Sequence, residues 1–337
     1  MSTTTTSSFA PSSEATPSRA PAPHTSTGPR TLLLASFAAV YVIWGSTYLA
    51  IRVGVETVPP LMLAGLRHFT VGVLLYPVLR WKTGVRPSAT HWKTAAVTGC
   101  LLLFVGNGGV SWAEQVVPSG ITALLVTTVS FWLVIVDWLR PSGHRPARKV
   151  LVGLVLGFAG VALLVGPVHL GGAERVDVRG VAVLVAASFS WACGSIYSKH
   201  GGMPGSALLG VAMQSLVGGT VLLFAGLVSG EFHRFRFATI SWHSWVALAY
   251  LVVFGSGIGL SAYLYILQKS TAARVATYAL VNPVVALLLG WLVADEVISS
   301  RTLIAAVIIL TAVVLVITAP HRPREPVQEP VPSPGEV

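Results

Sequence analysis

Ten apolar stretches, each of about 20 residues, follow one another along the chain and are separated by short segments with charges, proline or glycine. A helix needs about 20 residues to cross a bilayer, and only helices satisfy their own backbone over lipid-exposed runs of this length. The pattern therefore predicts an all-α membrane protein with ten transmembrane helices. The predicted spans are 31–51, 60–79, 94–113, 119–139, 150–168, 179–198, 206–228, 244–267, 275–293 and 302–319.

The two ends of the chain lack this pattern. Residues 1–30 and 320–337 are polar or proline-rich and contain no apolar core, so we expect two disordered tails. The first apolar run is too long for the hydrophobic region of a signal peptide, and it is expected to remain as the first helix. The two predicted domains between the tails are residues 31–168 and 179–319, with five helices each.

Composition and charge agree with a membrane protein. Only 10% of the residues are charged, against about 25% in a soluble domain. The net charge of +10 arises from basic residues at the ends of apolar runs, without the basic stripe or motif of a nucleic-acid-binding protein. With cytoplasmic termini, 15 Lys and Arg residues fall inside and 6 outside, which favours that orientation in the cytoplasmic (inner) membrane.

The second half of the chain repeats the first. A shift of 153 residues aligns Gly106 with Gly259 and Trp138 with Trp291, and a shift of 147 aligns Trp44 with Trp191. Five helices is an odd number, so the second half must enter the membrane inverted. Inverted repeats of this kind are typical of transporters with a substrate site between the halves. Helices three to five are expected to superpose on helices eight to ten after inversion.

Three segments resemble a known family. They are WGSTYLAIRVGVETVPPLMLAGLRH at 44–68, ASFSWACGSIYSKH at 187–200, and NPVVALLLGWLVADEVISSRTLIAAVIILTAVVLV at 282–316. These segments are similar to the EamA-type members of the drug/metabolite transporter superfamily. The resemblance implies ten helices, two repeats, and export or exchange of metabolites, amino acids or drug-like solutes. Ser130 and Gly143 depart from the family pattern, which has Pro and an acid there, so any kink near Ser130 needs another cause.

Arg67 is the most unusual side chain, because it lies about seven residues inside the second span. A charge at that depth is costly, so it is paired or it lines a cavity. At a shift of 147 it aligns with Gln214, which suggests one shared polar site. The alternative is an Arg that snorkels or stabilises helix assembly. The adjacent His68 is interpreted as a packed histidine.

Aromatic and polar side chains provide further cavity candidates. Tyr41, Trp44 and Tyr48 share one face of the first helix, which would suit an amphipathic solute or, alternatively, plain helix packing. Pro283 is expected to kink the ninth helix. The remaining candidates are residues of other spans: Trp191, Asn107, Trp112, Tyr263 and Asn282.

Other features of the sequence exclude several classes of protein. Cys100 and Cys193 lie in apolar stretches without metal-binding or disulfide spacing, so neither a metal nor a cofactor is expected. Gly255-x-Gly257-x-Gly259 lies inside a span and is interpreted as helix packing, as is Gly153-xxx-Gly157. Asp137, Asp295 and Glu296 are interpreted as solvated residues at helix ends.

The sequence therefore favours a transporter of small organic solutes that works by alternating access in the lipid bilayer. A membrane enzyme acting on lipid-linked substrates is one alternative, but no catalytic motif is present, so the protein is not expected to be an enzyme. A non-transporting scaffold is the other alternative, but the loops and tails offer no folded soluble domain.

Overall fold

The computed structural model describes residues 27–141, 146–165, 176–270, 272–275 and 277–319. All regular elements in these ranges are helices. The two predicted tails lie outside the described residues, apart from 27–30, which are helical. The all-α fold class is therefore confirmed.

Ten long helices form the fold, and we number them α1 to α10. Their bounds are α1 Thr27–Val55, α2 Pro60–Thr83, α3 Ala89–Ala113, α4 Ser119–Leu139, α5 Arg148–Val165, α6 Val178–His200, α7 Ala207–Val228, α8 Trp242–Lys269, α9 Tyr278–Val293 and α10 Ser300–Ile317. Short helical turns cover Glu231–Arg234, Phe237–Thr239 and Ala272–Val275. Nine of the ten helices, as described, are long and apolar enough to cross a membrane, and α9 is shorter, with 16 residues.

The helix bounds stay in register between the two halves. Shifted by 147, α2 would run from 207 to 230, and α7 covers Ala207–Val228. Shifted by 153, α4 would begin at 272, where the turn Ala272–Val275 precedes α9. A π-helical stretch also occurs at related places, Gly99–Asn107 in α3 and Leu251–Ile258 in α8. The two halves are therefore two copies of one five-helix unit, as the sequence predicts.

Three helices pack against their own repeat counterparts: α2 against α7, α4 against α9, and α5 against α10. Around them, α1 packs on α8 and α9 of the second half, and α6 packs on α3 and α4 of the first half. The interface between the halves is thus formed by helices in corresponding positions, and it extends through most of the bundle.

Glycines permit this close packing. A Cβ at Gly72 would lie 2.4 Å from the main-chain nitrogen of Leu216, and one at Gly219 would lie 2.3 Å from that of Phe69. Likewise, a Cβ at Gly153 of α5 would lie 3.0 Å from the carbonyl oxygen of Ala312 in α10. Without side chains at these positions the helix backbones approach directly, and dispersion contacts replace the hydrophobic effect that lipid cannot supply.

Two threonines, Thr127 and Thr128, interrupt α4. They lie just before Ser130, the position at which the family pattern has Pro. The hydroxyls of Thr127 and Thr128 donate to the carbonyls of Leu124 and Leu125, each at 2.6 Å. Their main-chain N–H groups bond the same two carbonyls, so the turn tightens and α4 divides into Ser119–Val126 and Val129–Leu139. The interruption therefore arises from side-chain bonding and needs no proline.

The contact of α2 with α7 should be intolerant of any added side chain. Gly219→Ala places a methyl group against the backbone at Phe69, and overpacking of this kind costs roughly 1–3 kcal/mol. We expect a lower melting temperature for the purified protein in detergent, measured by tryptophan fluorescence. Gly205→Ala is the matched control, because a Cβ there meets no atom within 4 Å. Equal melting temperatures for the two variants would show that the crossing of α2 and α7 tolerates a side chain at Gly219.

Candidate functional site

An aromatic cluster lies where α1 meets α8 and α9. The ring of Trp44 lies 4.9 Å from Tyr263 and 5.4 Å from Tyr278, centroid to centroid, and Tyr263 and Tyr278 are 5.9 Å apart. The Trp44 indole N–H donates to the carbonyl of Gly255 at 3.2 Å. A tryptophan of the first half thus packs against two tyrosines of the second half that also contact each other; Tyr278 was not among the residues predicted from the sequence.

The other two members of the predicted aromatic face also reach the second half. The Tyr41 hydroxyl lies 2.5 Å from Oγ1 of Thr277, in front of α9. Tyr48 interacts electrostatically with Tyr278 and with Glu114. The face of α1 therefore contacts the beginning of α9 through the Tyr41 hydroxyl as well as through the Trp44 ring.

The repeat relates two tryptophan–glycine contacts. A Cβ at Gly259 would lie 2.6 Å from the Trp44 indole nitrogen, and one at Gly106 would lie 2.9 Å from the Trp191 ring. Both glycines follow or lie within the π-helical stretches of α8 and α3. Trp191 therefore occupies, against α3, the place that Trp44 occupies against α8.

Arg67 lies between the halves. Its Nε donates to the Ser256 hydroxyl at 3.0 Å. Its Nη2 lies 3.0 Å from where a Cβ of Gly255 would be, and Thr47 of α1 lies 3.2 Å from that same point. Gly255 and Ser256 belong to the π-helical stretch of α8. The absence of a side chain at Gly255 makes room for the guanidinium.

His68 and Asn107 lie beside Arg67. His68 is buried, with the side chain of Asn107 next to it and Arg67 within electrostatic reach. No described group bonds its Nε2 atom. Arg67, His68 and Asn107 thus form one polar group contributed by α2 and α3.

Gln214 does not lie at the level of Arg67. Because α2 and α7 are antiparallel, with Phe69 against Gly219 and Gly72 against Leu216, Gln214 is displaced toward the Thr83 end of α2. A rise of 1.5 Å per residue puts the displacement at about 10 Å. Gln214 is buried, and its main-chain carbonyl faces Gly99 of α3. Equivalent positions in the two halves are therefore not neighbours here.

Asn282 and Pro283 lie where α9 crosses α1. Both are buried, and the Asn282 carbonyl lies 3.2 Å from where a Cβ of Gly45 would be. The Oδ1 atom of Asn282 accepts no hydrogen bond from a described group. Trp112 is different, because it is 37% exposed and lies apart from these contacts near the end of α3.

A cavity of about 730 Å³ opens between α1, α2, α7 and α8. It is lined mainly by apolar side chains, with Ser36, Ser261 and Tyr265 among the polar ones and Lys82 toward one end. Arg67 and Trp44 are not among its lining residues. In this conformation the polar group and the aromatic cluster are packed between helices.

Three carboxylates gather at one end of the bundle, which we call the capped end: Glu114, Glu231 and Glu296. Glu231 accepts the N–H groups of Leu61 and Met62 at 2.9 and 3.1 Å, at the start of α2. Burial raises the pKa of Glu231, and these two N–H groups act in the opposite direction.

Glu296 caps α4 in the same way. Its carboxylate accepts the N–H groups of Ser119 and Gly120 at 2.7 and 3.1 Å. Helices α2 and α4 both start after a proline and have no capping side chain of their own. The interpretation of Glu296 as a solvated residue is therefore wrong: the second half supplies the cap that α4 lacks. Asp137 is paired with Arg140 at 3.1 Å.

Metal-binding groups are absent from the part of the chain that the structure describes: no three His, Cys, Asp or Glu side chains are grouped to hold an ion. The sequence analysis also missed Glu114. A single acid in the five-residue connection between α3 and α4 carries no periodic signal, and its burial depends on neighbours from both halves.

Comparison with known proteins agrees with the fold. The EamA-like transporter family matches residues 31–166 and 178–318. The "Uncharacterized inner membrane transporter YedA" of Escherichia coli (strain K12) is 38% identical over 301 residues, covering 89% of this chain and 95% of YedA. The "Probable amino-acid metabolite efflux pump" of the same organism is 28% identical over 281 residues, covering 81% of this chain and 90% of the pump.

A solved crystal structure shares the fold, with a TM-score of 0.55 at 21% identity, covering 85% of this chain and 96% of the other. The family match spans both halves, and the described helices repeat in register across them. The chain therefore belongs to the EamA-like transporter family and is a membrane transporter of the drug/metabolite transporter type.

Proposed function

We propose that this protein exports or exchanges small organic solutes that carry a carboxylate or another anionic group, by alternating access between its two halves. Amino acids and related metabolites are the preferred class. The observation on which the proposal depends is Arg67, a cation of the first half held against the π-helical stretch of the second half.

The bonding of Arg67 leaves it able to bind an anion. Within the described ranges, Arg67 donates a hydrogen bond to a neutral hydroxyl group, that of Ser256. The ion pair in these ranges joins two other residues, Arg140 and Asp137. A guanidinium has five N–H donors in a planar fork that matches a carboxylate. In a membrane interior such a donor set is costly unless a ligand or water completes it.

The aromatic cluster would hold the apolar part of the solute. Trp44 and Tyr263 offer ring faces and Tyr278 a ring edge, the mixture that favours an amphipathic ligand. The efflux pump from Escherichia coli is named for amino-acid metabolites, which supports the same solute class here. Arg67 joins α2 to α8, and the aromatic cluster joins α1 to α8 and α9. Both sites therefore lie between the halves, and rocking of one half on the other would open them.

The first test replaces Arg67. We expect Arg67→Ala to reduce counterflow of labelled amino acids in proteoliposomes at least tenfold, because charge-assisted hydrogen bonds contribute roughly 1.5–3 kcal/mol each. Arg67→Lys should recover part of the activity, since it restores the charge without the planar fork.

Arg86→Ala is the matched control, because it removes an exposed arginine outside the helices. Melting temperature and elution profile are measured for every variant. Normal transport by Arg67→Ala would refute the proposed contact with the solute. Loss of its folded state would also refute it, because Arg67 would then be structural.

We also propose that both termini are cytoplasmic, from the distribution of Lys and Arg. In a variant with Cys100 and Cys193 replaced by Ala, Arg86→Cys should be protected from an impermeant maleimide in intact cells, and His233→Cys should react. Both side chains are exposed, so access depends on the side of the membrane alone. The reverse labelling pattern would invert the proposed topology.

A further inference from the structure

Glu114 is a completely buried carboxylic acid at the capped end. It follows α3 directly, and none of its surface is exposed. Neither carboxyl oxygen accepts a hydrogen bond from a described group. The other two carboxylates of this end, Glu231 and Glu296, are each bonded to two main-chain N–H groups. Glu114 therefore differs from them, because within the described residues no N–H or O–H group donates to its carboxyl oxygens.

Arg52 approaches Glu114 without pairing with its carboxyl group. Its guanidinium donates to the main-chain carbonyl of Glu114, and no ion pair joins the two side chains. The nearby cation is thus engaged with the backbone and offsets only part of the cost of an ionised Glu114.

Within the described residues, the other charged and titratable groups around Glu114 come from three elements. Tyr48 faces it from α1, and Glu296 from the segment between α9 and α10. At the start of α6, Asp177 bonds the N–H groups of its own helix, and Arg179 is exposed. Burial and the negative charge of Glu296 raise the pKa of Glu114 well above the ordinary value for glutamate, and Arg52 acts in the opposite direction.

We propose that Glu114 is a proton-binding site: it takes a proton from the water on its side when the capped end closes and releases it when that end opens. The opening motion rests on the alternating access proposed above. Proton binding in the closed form follows from the burial of Glu114 and from the absence of a donor to its carboxyl among the described groups, and it does not depend on the solute.

Glu296 connects the proton site to the motion. Its bonds to Ser119 and Gly120 join the segment between α9 and α10 to the first helix turn of α4, so they bridge the halves next to Glu114. Opening this end breaks those bonds and admits water to both carboxylates. The carboxyl group of Glu114 then loses its proton, and the products are a solvated carboxylate and a hydrated proton.

The sign of the pH dependence follows from this linkage. The pKa of Glu114 is higher in the closed form than in the open form, so low pH favours closure. The proton's stabilisation of the closed form is lost as the pH rises through the closed-form value. Glu114→Gln, which is neutral at every pH, should hold the closed arrangement without responding to pH.

Infrared spectroscopy of the purified protein tests the protonated carboxyl directly. We expect a carboxylic C=O stretching band in the wild type at neutral pH, and we expect Glu114→Gln to lack that band. Glu56→Gln is the matched control, because it removes an exposed acid between α1 and α2 and should keep the band. Identical spectra from the wild type and Glu114→Gln would overturn the assignment of the proton to Glu114.

A distance measurement tests the link to opening. Spin labels at Val116→Cys and Val297→Cys, both exposed, report the separation of α3 from the segment between α9 and α10. In a background without Cys100 and Cys193, acidification should shorten this distance, and adding Glu114→Gln should fix it at the short value. An unchanged pH response in the Gln variant would overturn the proposal. Failure to find a transported solute would leave both measurements interpretable, so the two proposals can fail separately.

Discussion

Close contact between corresponding helices of the two halves determines how the bundle is assembled. Lipid offers no hydrophobic driving force for helix association, so the bundle is stabilised by packing, and packing requires small residues at the crossings. Gly72 and Gly219 bring α2 and α7 within backbone contact, and Gly153 does the same for α5 and α10.

The residues of the candidate site lie in the interfaces that this pairing creates between the halves. Trp44 of the first half packs against Tyr263 and Tyr278 of the second half. Arg67 reaches Ser256 across the same interface because Gly255 has no side chain to exclude it. The distribution of glycines thus determines which polar groups of one half can contact the other half.

Local patterns were enough to predict the helices, because a span is a property of consecutive residues. The span 119–139 coincides with α4, and the other bounds differ by a few residues. The contacts of the site were harder to predict, since they depend on depth and on partners far along the chain. Gln214 illustrates this. It is equivalent to Arg67 in the repeat, but the two residues are not close together, because α2 and α7 are antiparallel and place these two residues at different levels.

The polar residues in the connections were the hardest to interpret. Glu296 follows a span and resembles a solvated acid, yet its carboxylate caps α4, whose own start has proline at the capping position and no side-chain cap. Glu114 looks equally ordinary in the sequence and is completely buried. Here, short connections of one half pack against the other half. The hydropathy of a single stretch of sequence cannot predict such contacts.

The carboxylate caps have a consequence for the energy of the two conformations. In a molecule made of two identical inverted halves, the forms open to either side would be related by symmetry and equal in free energy. Here the residues that correspond in the repeat to Glu231 and Glu296 are Gly84 and Gly143, which have no side chain with which to cap a helix. Charge-assisted hydrogen bonds contribute roughly 1.5–3 kcal/mol each, so in the alternating access proposed above the caps would remove the degeneracy and favour the form in which their own end is shut. Under that proposal the duplication would provide two conformations, and these two acidic side chains, together with the proton on Glu114, would determine which of them the empty protein prefers.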